Sequence, residues 1–421
     1  MLAGAVGNAI EFYDFIVYAY LAHYFAAKFF PTHDPVVGMM ATYGGFAAGM
    51  LMRPIGGILI GTIGDRIGRK AALQFSVVLI SLPTFLIGVL PTYDEIGLWA
   101  PLLLLLMRLL QGLSVGGEYS AAIVFLVERA PKRRRGFAGS FSPLGATFGL
   151  LLGSLVAFFC VWGLGESVMH DWGWRVPFLA SVVLTLIGIW LRKKIAPDTP
   201  DAANAQPSKH SPVMDAFKKY WREMLAIGLG NSLMGATGFI GFMYAVPWMV
   251  KQTGVSNSLA FAINVISLSV CCLMTLVAGS ISDRIGRIRT VVIGAWIALC
   301  GAWPAFMLFK TGDWPLMLLG SLIIGTAHGF FGGPFCACMA GLIPPRVRVT
   351  VIAFGYSFSV GIVGGLAPVM TEYLVGHLHF QMAPALVIML AALVSLVTLL
   401  FHPMWRHNDE SFPEDRPYAV A

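Results

Sequence analysis

Residues 61–70 read GTIGDRIGRK and residues 279–288 read GSISDRIGRI, so seven of ten positions are identical between two stretches in different halves of the chain. Each stretch is a charged loop between two long apolar runs. A charged loop that returns at the same place in two series of apolar segments indicates an internal repeat. The chain is therefore predicted to consist of two related helical halves.

The composition favours a membrane protein, because 57% of the 421 residues are hydrophobic and only 12% are charged, with a mean hydropathy of +0.77. Apolar stretches of about 20 residues, separated by short polar turns, are what a bilayer core requires of helices. The predicted fold class is an all-α membrane protein with twelve transmembrane helices in two pseudo-symmetric six-helix bundles. Helices 1 to 12 are predicted at 3–30, 36–60, 71–90, 98–127, 137–162, 173–192, 223–250, 257–280, 289–309, 314–340, 350–376 and 383–402.

The same segments predict the domain organisation and the orientation. A first bundle at 1–192 and a second at 223–403 are joined by a polar linker at 193–222, part of it an interfacial helix, and a polar tail follows at 404–421. With the N-terminus inside, 22 of the 28 Lys and Arg residues fall in cytoplasmic loops and the tail. Because Lys and Arg are retained on the cytoplasmic side, both termini, the linker and the tail are predicted to be cytoplasmic.

Several functions are disfavoured by the same observations. The net charge of +7 comes from the cytoplasmic turns, so it does not predict nucleic-acid binding. The six cysteines lie in or at the ends of apolar helices without metal-ligand spacing, and no catalytic triad or nucleotide loop is present. The first apolar segment is too long for a cleavable signal and carries acidic residues. We expect neither an enzyme nor a metal protein, and no cofactor besides a coupling proton.

Helix 1 carries the most costly polar residues. Asn8, Glu11, Asp14 and Tyr18 are spaced three, three and four apart, which places them on one stripe of a helix. Two nearby carboxylates in a low-dielectric bundle repel each other, so one of them can load and release a proton. Glu11 and Asp14 are therefore the predicted proton-coupling residues. The alternative is that they pair permanently with arginine and only hold helices together.

Helix 4 contains Arg108 inside the predicted span, where an unpaired guanidinium is costly. Its expected partner is Glu11 or Asp14 across the bundle, or a carboxylate on the solute. Gln111 and the glycines that follow allow another helix to approach closely. Glu118 lies nearer the cytoplasmic end and is predicted to form a gate ion pair.

The two related loops predict a charge cluster that holds the cytoplasmic side shut in one state. Asp65 and Asp283 are placed where a carboxylate can sit at the N-terminus of a neighbouring helix; the alternative is a static topology signal. In the second half, His328 is a candidate proton carrier or ligand, or a satisfied packing residue. The candidate gating residues are Asp65, Arg66, Arg69, Glu118, Glu128, Asp283, Arg284 and Arg287, and the candidate solute-binding residues are Asn8, Tyr13, Tyr18, Arg108, Gln111, Asn231 and His328.

Several motifs match a known family. The motif GxxxDRxGRK at 61–70 resembles the major facilitator superfamily, and its return in the second half fits the repeat of that superfamily. The run GNxxExxDF at 7–15, RPIGG at 53–57, GGE at 116–118, ERAP at 128–131 and WGWRVPF at 172–178 together resemble the metabolite:proton symporter family, which includes carriers of proline and betaine, 2-oxoglutarate, citrate and shikimate. The resemblance implies proton-driven import.

One departure from the family pattern concerns the second half. Gly341 stands where members of the family carry an acid before Arg346 and Arg348. The resemblance thus implies a weaker cytoplasmic gate in that half, and Asp283 is expected to matter less than Asp65.

The predicted function is proton-coupled uptake of a small polar, carboxylate-bearing metabolite by alternating access between two states. The predicted location is a bacterial cytoplasmic (inner) membrane, with lipid, solute and protons as the partners and a monomer as the functional unit. The alternative is a proton-driven exporter of a metallophore, a drug or another metabolite. Helix 5 lacks the antiporter pattern GxxxGPxxG, which disfavours an exporter. An osmosensing betaine carrier is expected to have a long cytoplasmic coiled coil at its C-terminal end, and none follows Pro403, which disfavours osmosensing by that route.

Overall fold

A computed structural model describes residues 2–67, 69–114, 118–193, 212–345 and 347–406. All twelve predicted helices are present, several of them in two or more pieces. Their bounds are Leu2–Tyr20 with Ala22–Phe29, Pro35–Leu51 with Arg53–Ile67, Arg69–Val89, Trp99–Ser114 with Glu118–Glu128, Arg135–Gly139 with Phe141–Leu164, Arg175–Lys193, Pro212–Gly230 continued to Thr253, Asn257–Ile285, Arg287–Phe309, Trp314–Leu342, Arg348–Gly376 and Ala383–Phe401.

Nine of the described helices are long and apolar enough to cross a bilayer by themselves. Helices 3 and 6 have shorter apolar parts, at Phe75–Val89 and Arg175–Ile187. Helix 1 is the polar exception, and its residues from Gly7 to Leu21 are all buried inside the bundle. Because protein rather than lipid surrounds helix 1, its carboxylates do not face the hydrocarbon.

The predicted linker is helical in its last part. A helix spans Pro212–Gly230 and bends at Tyr220, where φ is −119° and ψ is 21°, so that the part after the bend begins close to the predicted start of helix 7 at residue 223. Exposed Lys218 and Lys219 precede the bend and exposed Trp221 follows it, so the polar first part of the helix continues beyond the apolar span. The rest of the linker, from residue 194 to 211, and the tail from residue 407 lie outside the described residues.

Close packing of small residues joins helices 2 and 4. A Cβ atom on Gly112 would lie 1.9 Å from the carbonyl oxygen of Gly49, and one on Gly56 would lie 2.1 Å from that of Leu113. Backbones can approach this closely only where side chains are missing. This crossing fixes the position of Arg108, which lies one turn before Gly112.

Helices 7 and 11 depart from α-helical geometry in mid-span. Thr237–Tyr244 and Ser359–Gly364 form π-helical turns, and the two segments adjoin, since a Cβ on Gly235 would lie 3.2 Å from the backbone nitrogen of Gly364. Such turns inside helices are common at functional sites. They line the interface between the two halves, opposite helices 1 and 2.

Candidate functional site

The polar stripe of helix 1 is buried, but its members point to different neighbours. Asn8 donates to the hydroxyl of Ser142 on helix 5 at 3.1 Å, and the Tyr18 hydroxyl donates to the carbonyl of Thr42 on helix 2 at 3.0 Å. The Tyr13 hydroxyl donates to the carbonyl of Pro177 at 2.9 Å. These three side chains therefore tie helix 1 to its own bundle, and a role in solute binding stays a prediction for each.

Asp14 is fully buried between helices 1 and 3. Its Oδ2 atom accepts a hydrogen bond from the Ser81 hydroxyl at 2.8 Å, whereas its Oδ1 atom has no hydrogen-bond partner among the described residues. Asp14 forms no ion pair with any described side chain. A single hydroxyl donor leaves one carboxylate oxygen available to a proton.

Arg108 has surroundings that the sequence did not predict. Its Nη1 atom donates to the Gln111 side chain and to the Phe15 carbonyl, the latter at 3.4 Å, and its guanidinium carbon lies 4.1 Å and 4.3 Å from the ring centroids of Phe15 and Tyr18. No carboxylate of the described residues is in ion-pair contact with Arg108. The expected pairing with Glu11 or Asp14 is therefore absent from this conformation, because aromatic faces, an amide and a carbonyl hold the cation instead.

Gln111 uses both ends of its amide. Its Oε1 atom accepts from Arg108, and its Nε2 atom donates to the Thr84 hydroxyl at 2.7 Å and to the Asp14 carbonyl at 3.3 Å. Gln111 thereby links the Arg108 guanidinium to the backbone at Asp14. The two charged candidates are connected through one amide rather than by direct contact.

A small central cavity lies between the two halves beside this cluster. Its lining residues are Glu11, Phe12, Phe15, Ile16, Met50, Arg53 and Phe239, and its volume is about 10 Å³. A cavity of this size holds about one water molecule. The conformation is therefore occluded at the centre.

Sequence reasoning left Arg53 out of the candidate site, although its position inside helix 2 was a signal. Arg53 is 1% exposed, and its guanidinium carbon lies 5.9 Å and 5.6 Å from the ring centroids of Phe12 and Tyr356. The Tyr356 ring stacks on Tyr119 at 4.4 Å, which joins helix 11 to helix 4. These aromatic residues had no sequence signal, since apolar helices contain many such rings.

In the second half, the two candidates form contacts within their own bundle. Asn231 donates to the Ser359 hydroxyl at 3.3 Å, and Nδ1 of His328 is 2.7 Å from the Thr237 hydroxyl. Both contacts involve the π-helical turns of helices 7 and 11. Among the described residues, neither Asn231 nor His328 forms a hydrogen bond or an ion pair with Arg108 or Asp14, and their solute-binding role stays a prediction.

On the face that carries the basic loops, here called the basic face, two contacts cross between the halves. The Asp283 carboxylate accepts the backbone N–H groups of Gly136 and Phe137 at 2.7 Å and 2.9 Å. Glu128 forms an ion pair with Arg348. The acid expected near Gly341 is thus supplied to Arg348 by the other half of the chain.

The remaining gating candidates are less informative. Arg284 is exposed at the end of helix 8, and Arg287 begins helix 9. The side chains of Asp65, Arg66, Arg69 and Glu118 lie outside the described part of the structure. Their gating role stays a prediction.

The opposite face is also closed by contacts between the halves. His377 lies 3.2 Å from the Asp34 carboxylate, and Glu166 accepts a hydrogen bond from Asn257 at 3.1 Å. Nearer the centre, Asn264 donates to the Tyr20 hydroxyl at 3.2 Å. Contacts on both faces and a closed centre are the arrangement of a carrier between its two open states.

These features define a solute carrier built from two six-helix halves, and comparison with known proteins gives the family. The Major Facilitator Superfamily profile matches residues 4–368 and, in a second match, residues 229–417. The chain belongs to that superfamily, and it is a transporter rather than an enzyme.

Similar transporters are known from several bacteria. The chain is 34% identical over 409 residues to the proline/betaine transporter of Escherichia coli strain K12, covering 94% of this chain and 81% of that protein. It is 33% identical over 413 residues to the glycine betaine/proline/ectoine/pipecolic acid transporter of Dickeya dadantii, covering 95% and 82%. It is 32% identical over 416 residues to the ectoine/proline transporter of Corynebacterium glutamicum, covering 94% and 82%.

Solved structures agree on the fold. A crystal structure of a D-xylose–proton symporter superposes with a TM-score of 0.74 at 21% identity, covering 96% of this chain and 98% of that one. A partially occluded inward-open form of the xylose transporter from Escherichia coli superposes with a TM-score of 0.72 at 19% identity, covering 96% and 97%. At this identity the likeness establishes the fold alone.

Proposed function

We propose that the protein is a proton-coupled importer of a small zwitterion that carries a carboxylate and a cationic nitrogen group. The named solutes of its relatives, proline, betaines and ectoine, belong to this chemical class. The observation that carries the proposal is the state of the Arg108 side chain.

One edge of the Arg108 guanidinium is buried and has no hydrogen-bond partner among the described residues. The Nε and Nη2 atoms are buried and have no hydrogen-bond partner among the described residues, while Nη1 is engaged. These two atoms lie on the same edge of the planar group, which is the edge that binds a carboxylate with two parallel hydrogen bonds. A buried donor without a partner costs about 1–3 kcal/mol of stability. A solute carboxylate that accepts hydrogen bonds from Nε and Nη2 would remove this cost.

The aromatic residues around Arg108 favour a cationic group on the same solute. Phe15 and Phe239 line the central cavity, and the Phe46 ring lies 5.2 Å from the Phe239 ring across the halves. Ring faces attract ammonium groups, most strongly when water is excluded. Opening of this contact would expose ring faces and the Arg108 edge together.

Asp14 and Glu11 are the groups that we assign to the coupling proton. Asp14 has a single hydroxyl donor and an unbonded oxygen, and it is linked to Arg108 through Gln111. Glu11 lines the central cavity. Protonation of a carboxylate next to the solute site would remove its negative charge, and with it the repulsion that the solute carboxylate would meet on arrival.

The proposal includes an orientation. Because Lys and Arg concentrate on the basic face, that face is assigned to the cytoplasm of a bacterial inner membrane. The functional unit is proposed to be the monomer, since each chain contains both halves of the cycle.

Uptake into proteoliposomes tests the proposal. Labelled proline, glycine betaine and ectoine would be compared with 2-oxoglutarate, citrate and shikimate, under gradients that are acid outside or acid inside. We expect a zwitterion to accumulate only with the acid-outside gradient, whichever way the protein is inserted. Accumulation only with the acid-inside gradient would indicate an exporter, and selective accumulation of a dicarboxylate would replace the proposed solute class.

A further inference from the structure

A second cavity lies between the two halves near the face opposite the basic loops. It has a volume of about 210 Å³, and helices 1, 2, 7, 8 and 11 contribute residues to it. The residues used below are Tyr43, Tyr244, Trp248, Lys251, Asn257 and Glu372. We call this cavity the vestibule.

Two layers of aromatic rings separate the vestibule from the central site. The Tyr43 and Tyr244 rings are 5.9 Å apart across the halves, and the Phe46 and Phe239 rings are 5.2 Å apart. Phe46 lies against Arg108, with 5.2 Å between the guanidinium carbon and the ring centroid. The vestibule is therefore a separate compartment rather than an extension of the central cavity.

Among the residues that line the vestibule, Tyr43, Trp248 and Asn257 each carry a buried polar atom without a hydrogen-bond partner in the described part of the structure. Tyr43 is 0% exposed, Trp248 is 2% exposed and Asn257 is 8% exposed. The Tyr43 hydroxyl, the Trp248 indole nitrogen and the Asn257 Oδ1 atom form no hydrogen bond with any described residue. Buried polar groups in proteins are nearly always paired, so three of them around one cavity indicate a ligand that pairs with them.

The charges around the vestibule define the ligand. The buried Glu372 carboxylate accepts from the Tyr244 hydroxyl at 2.7 Å, and it lies 3.3 Å from the half-exposed Lys251 ammonium group. The vestibule thus contains the Glu372 carboxylate and aromatic ring faces, which bind a cation. It also contains the Lys251 ammonium, the Tyr43 hydroxyl and the Trp248 indole N–H, which bind an anion. A molecule with both charges a few bonds apart meets both sets.

We propose that the vestibule is a second binding site, which holds a small zwitterion before it reaches the centre. The ammonium group lies against Glu372 and the Tyr244 ring, and the carboxylate accepts from the Tyr43 hydroxyl, the Trp248 indole N–H and Lys251. The volume suits a small solute, since drug-sized ligands occupy pockets of roughly 300–1,000 Å³. This inference rests on the proposed function, because it assigns the same solute class to a second site.

Equilibrium binding of labelled glycine betaine and labelled proline to the purified full chain in lipid nanodiscs tests the inference. We expect two solutes per protein for the wild type. Tyr43→Phe removes only a hydroxyl that has no hydrogen-bond partner among the described residues, so the variant should fold normally and weaken one of the two sites at least tenfold. Trp248→Phe should weaken the same site, and Tyr93→Phe, outside the vestibule, should weaken neither.

The central-site variant Arg108→Lys separates the two proposals. It should leave the vestibule site intact, so that one solute still binds and remains sensitive to Tyr43→Phe. One solute per wild-type protein, unaffected by Tyr43→Phe and Trp248→Phe, would overturn the vestibule site and leave the proposed function standing. Absence of zwitterion binding in every variant and in the wild type would overturn both.

Discussion

The Asp283 carboxylate, in the second half, accepts the backbone N–H of Gly136, in the first half, at 2.7 Å. The same carboxylate accepts the N–H of Phe137. A side chain from the repeated loop of one half thus binds a helix start of the other half on the basic face. The separation of the halves on this face requires both hydrogen bonds to break.

Replacement of Asp283 by asparagine should weaken this closure. Asn keeps one acceptor oxygen but loses the charge and the second acceptor, and hydrogen bonds to charged groups contribute roughly 1.5–3 kcal/mol each. We expect the balance to shift about tenfold or more toward the form open on the basic face. Spin-label distances across both faces measure the shift, and Asp313→Asn, on the opposite face, is the control. Unchanged distances would mean that Asp283 only caps the helix that begins at Arg135 and does not hold the basic face closed.

The Asp283→Asn variant also tests the prediction from the sequence that Asp283 matters less than Asp65. The missing acid at Gly341 implied that Asp283 matters less than Asp65, whereas the structure shows Arg348 paired with Glu128 of the other half. We now expect Glu128→Gln to act in the same direction as Asp283→Asn. If Glu128→Gln leaves the distances unchanged while Asp65→Asn shifts them, the loop at 61–70 contributes more to closure of the basic face than the Glu128–Arg348 ion pair.

Arg108→Lys should impair transport although it keeps the charge. A lysine ammonium cannot offer the two parallel donors of Nε and Nη2. The loss of one charge-assisted hydrogen bond corresponds to a decrease of about 10- to 100-fold in the kcat/KM of uptake. Initial uptake rates in proteoliposomes measure it, with Arg175→Lys as the control, since Arg175 donates to the carbonyls of Gly88 and Leu90 away from the centre. Wild-type kinetics in Arg108→Lys would exclude a direct role.

Asp14→Asn should separate accumulation from exchange. The amide cannot release a proton, so accumulation driven by a pH gradient should be lost, while counterflow of solute between equal pH values should remain. Ser81→Ala is the matched control, because it removes the donor to Asp14 and leaves the carboxyl in place. Glu11→Gln should show the same loss with an added rise in KM, because Glu11 lines the central cavity. Normal accumulation in both amide variants would rule out this pair as the coupling site.

Gly112→Ala should destabilise the first half. The added methyl would lie 1.9 Å from the Gly49 carbonyl oxygen, and overpacking of this kind costs about 1–3 kcal/mol. We expect a lower Tm in detergent than for the wild type. Gly44→Ala, on the same pair of helices, meets nothing within 4 Å and should leave Tm unchanged. Equal Tm values for the two variants would mean that helices 2 and 4 separate without cost.

The sequence predicted the helices well because their signal is local. Apolar length and the repeated loop were sufficient for the twelve spans and the family. The ends were less predictable: helix 8 runs to Ile285 rather than 280 because it stops only at Gly286, whose φ of 101° suits glycine. Such an end depends on backbone geometry beyond the apolar span.

The sequence predicted the site only as a set of charged residues whose burial in apolar helices costs free energy. Burial of Glu11, Asp14 and Arg108 follows from their position in apolar helices, and all three are buried. Which of them pair does not follow, since it depends on rotations of whole helices. The aromatic surroundings of Arg108, the role of Arg53 in the central cavity and the vestibule all depend on contacts between distant segments.

The π-helical turn at Thr237–Tyr244 gives helix 7 a register that can change. A π turn holds one residue more than an α turn, and in an α-helix one residue corresponds to a rotation of about 100° about the axis. If the extra residue were absorbed, the part of helix 7 beyond the turn would rotate against the part before it. Tyr244 would then turn away from Glu372, and Trp248 would leave the vestibule, although the inner end of the helix had not moved. A local change of winding in helix 7 would thus change which of its side chains face the solute, without a hinge in any loop.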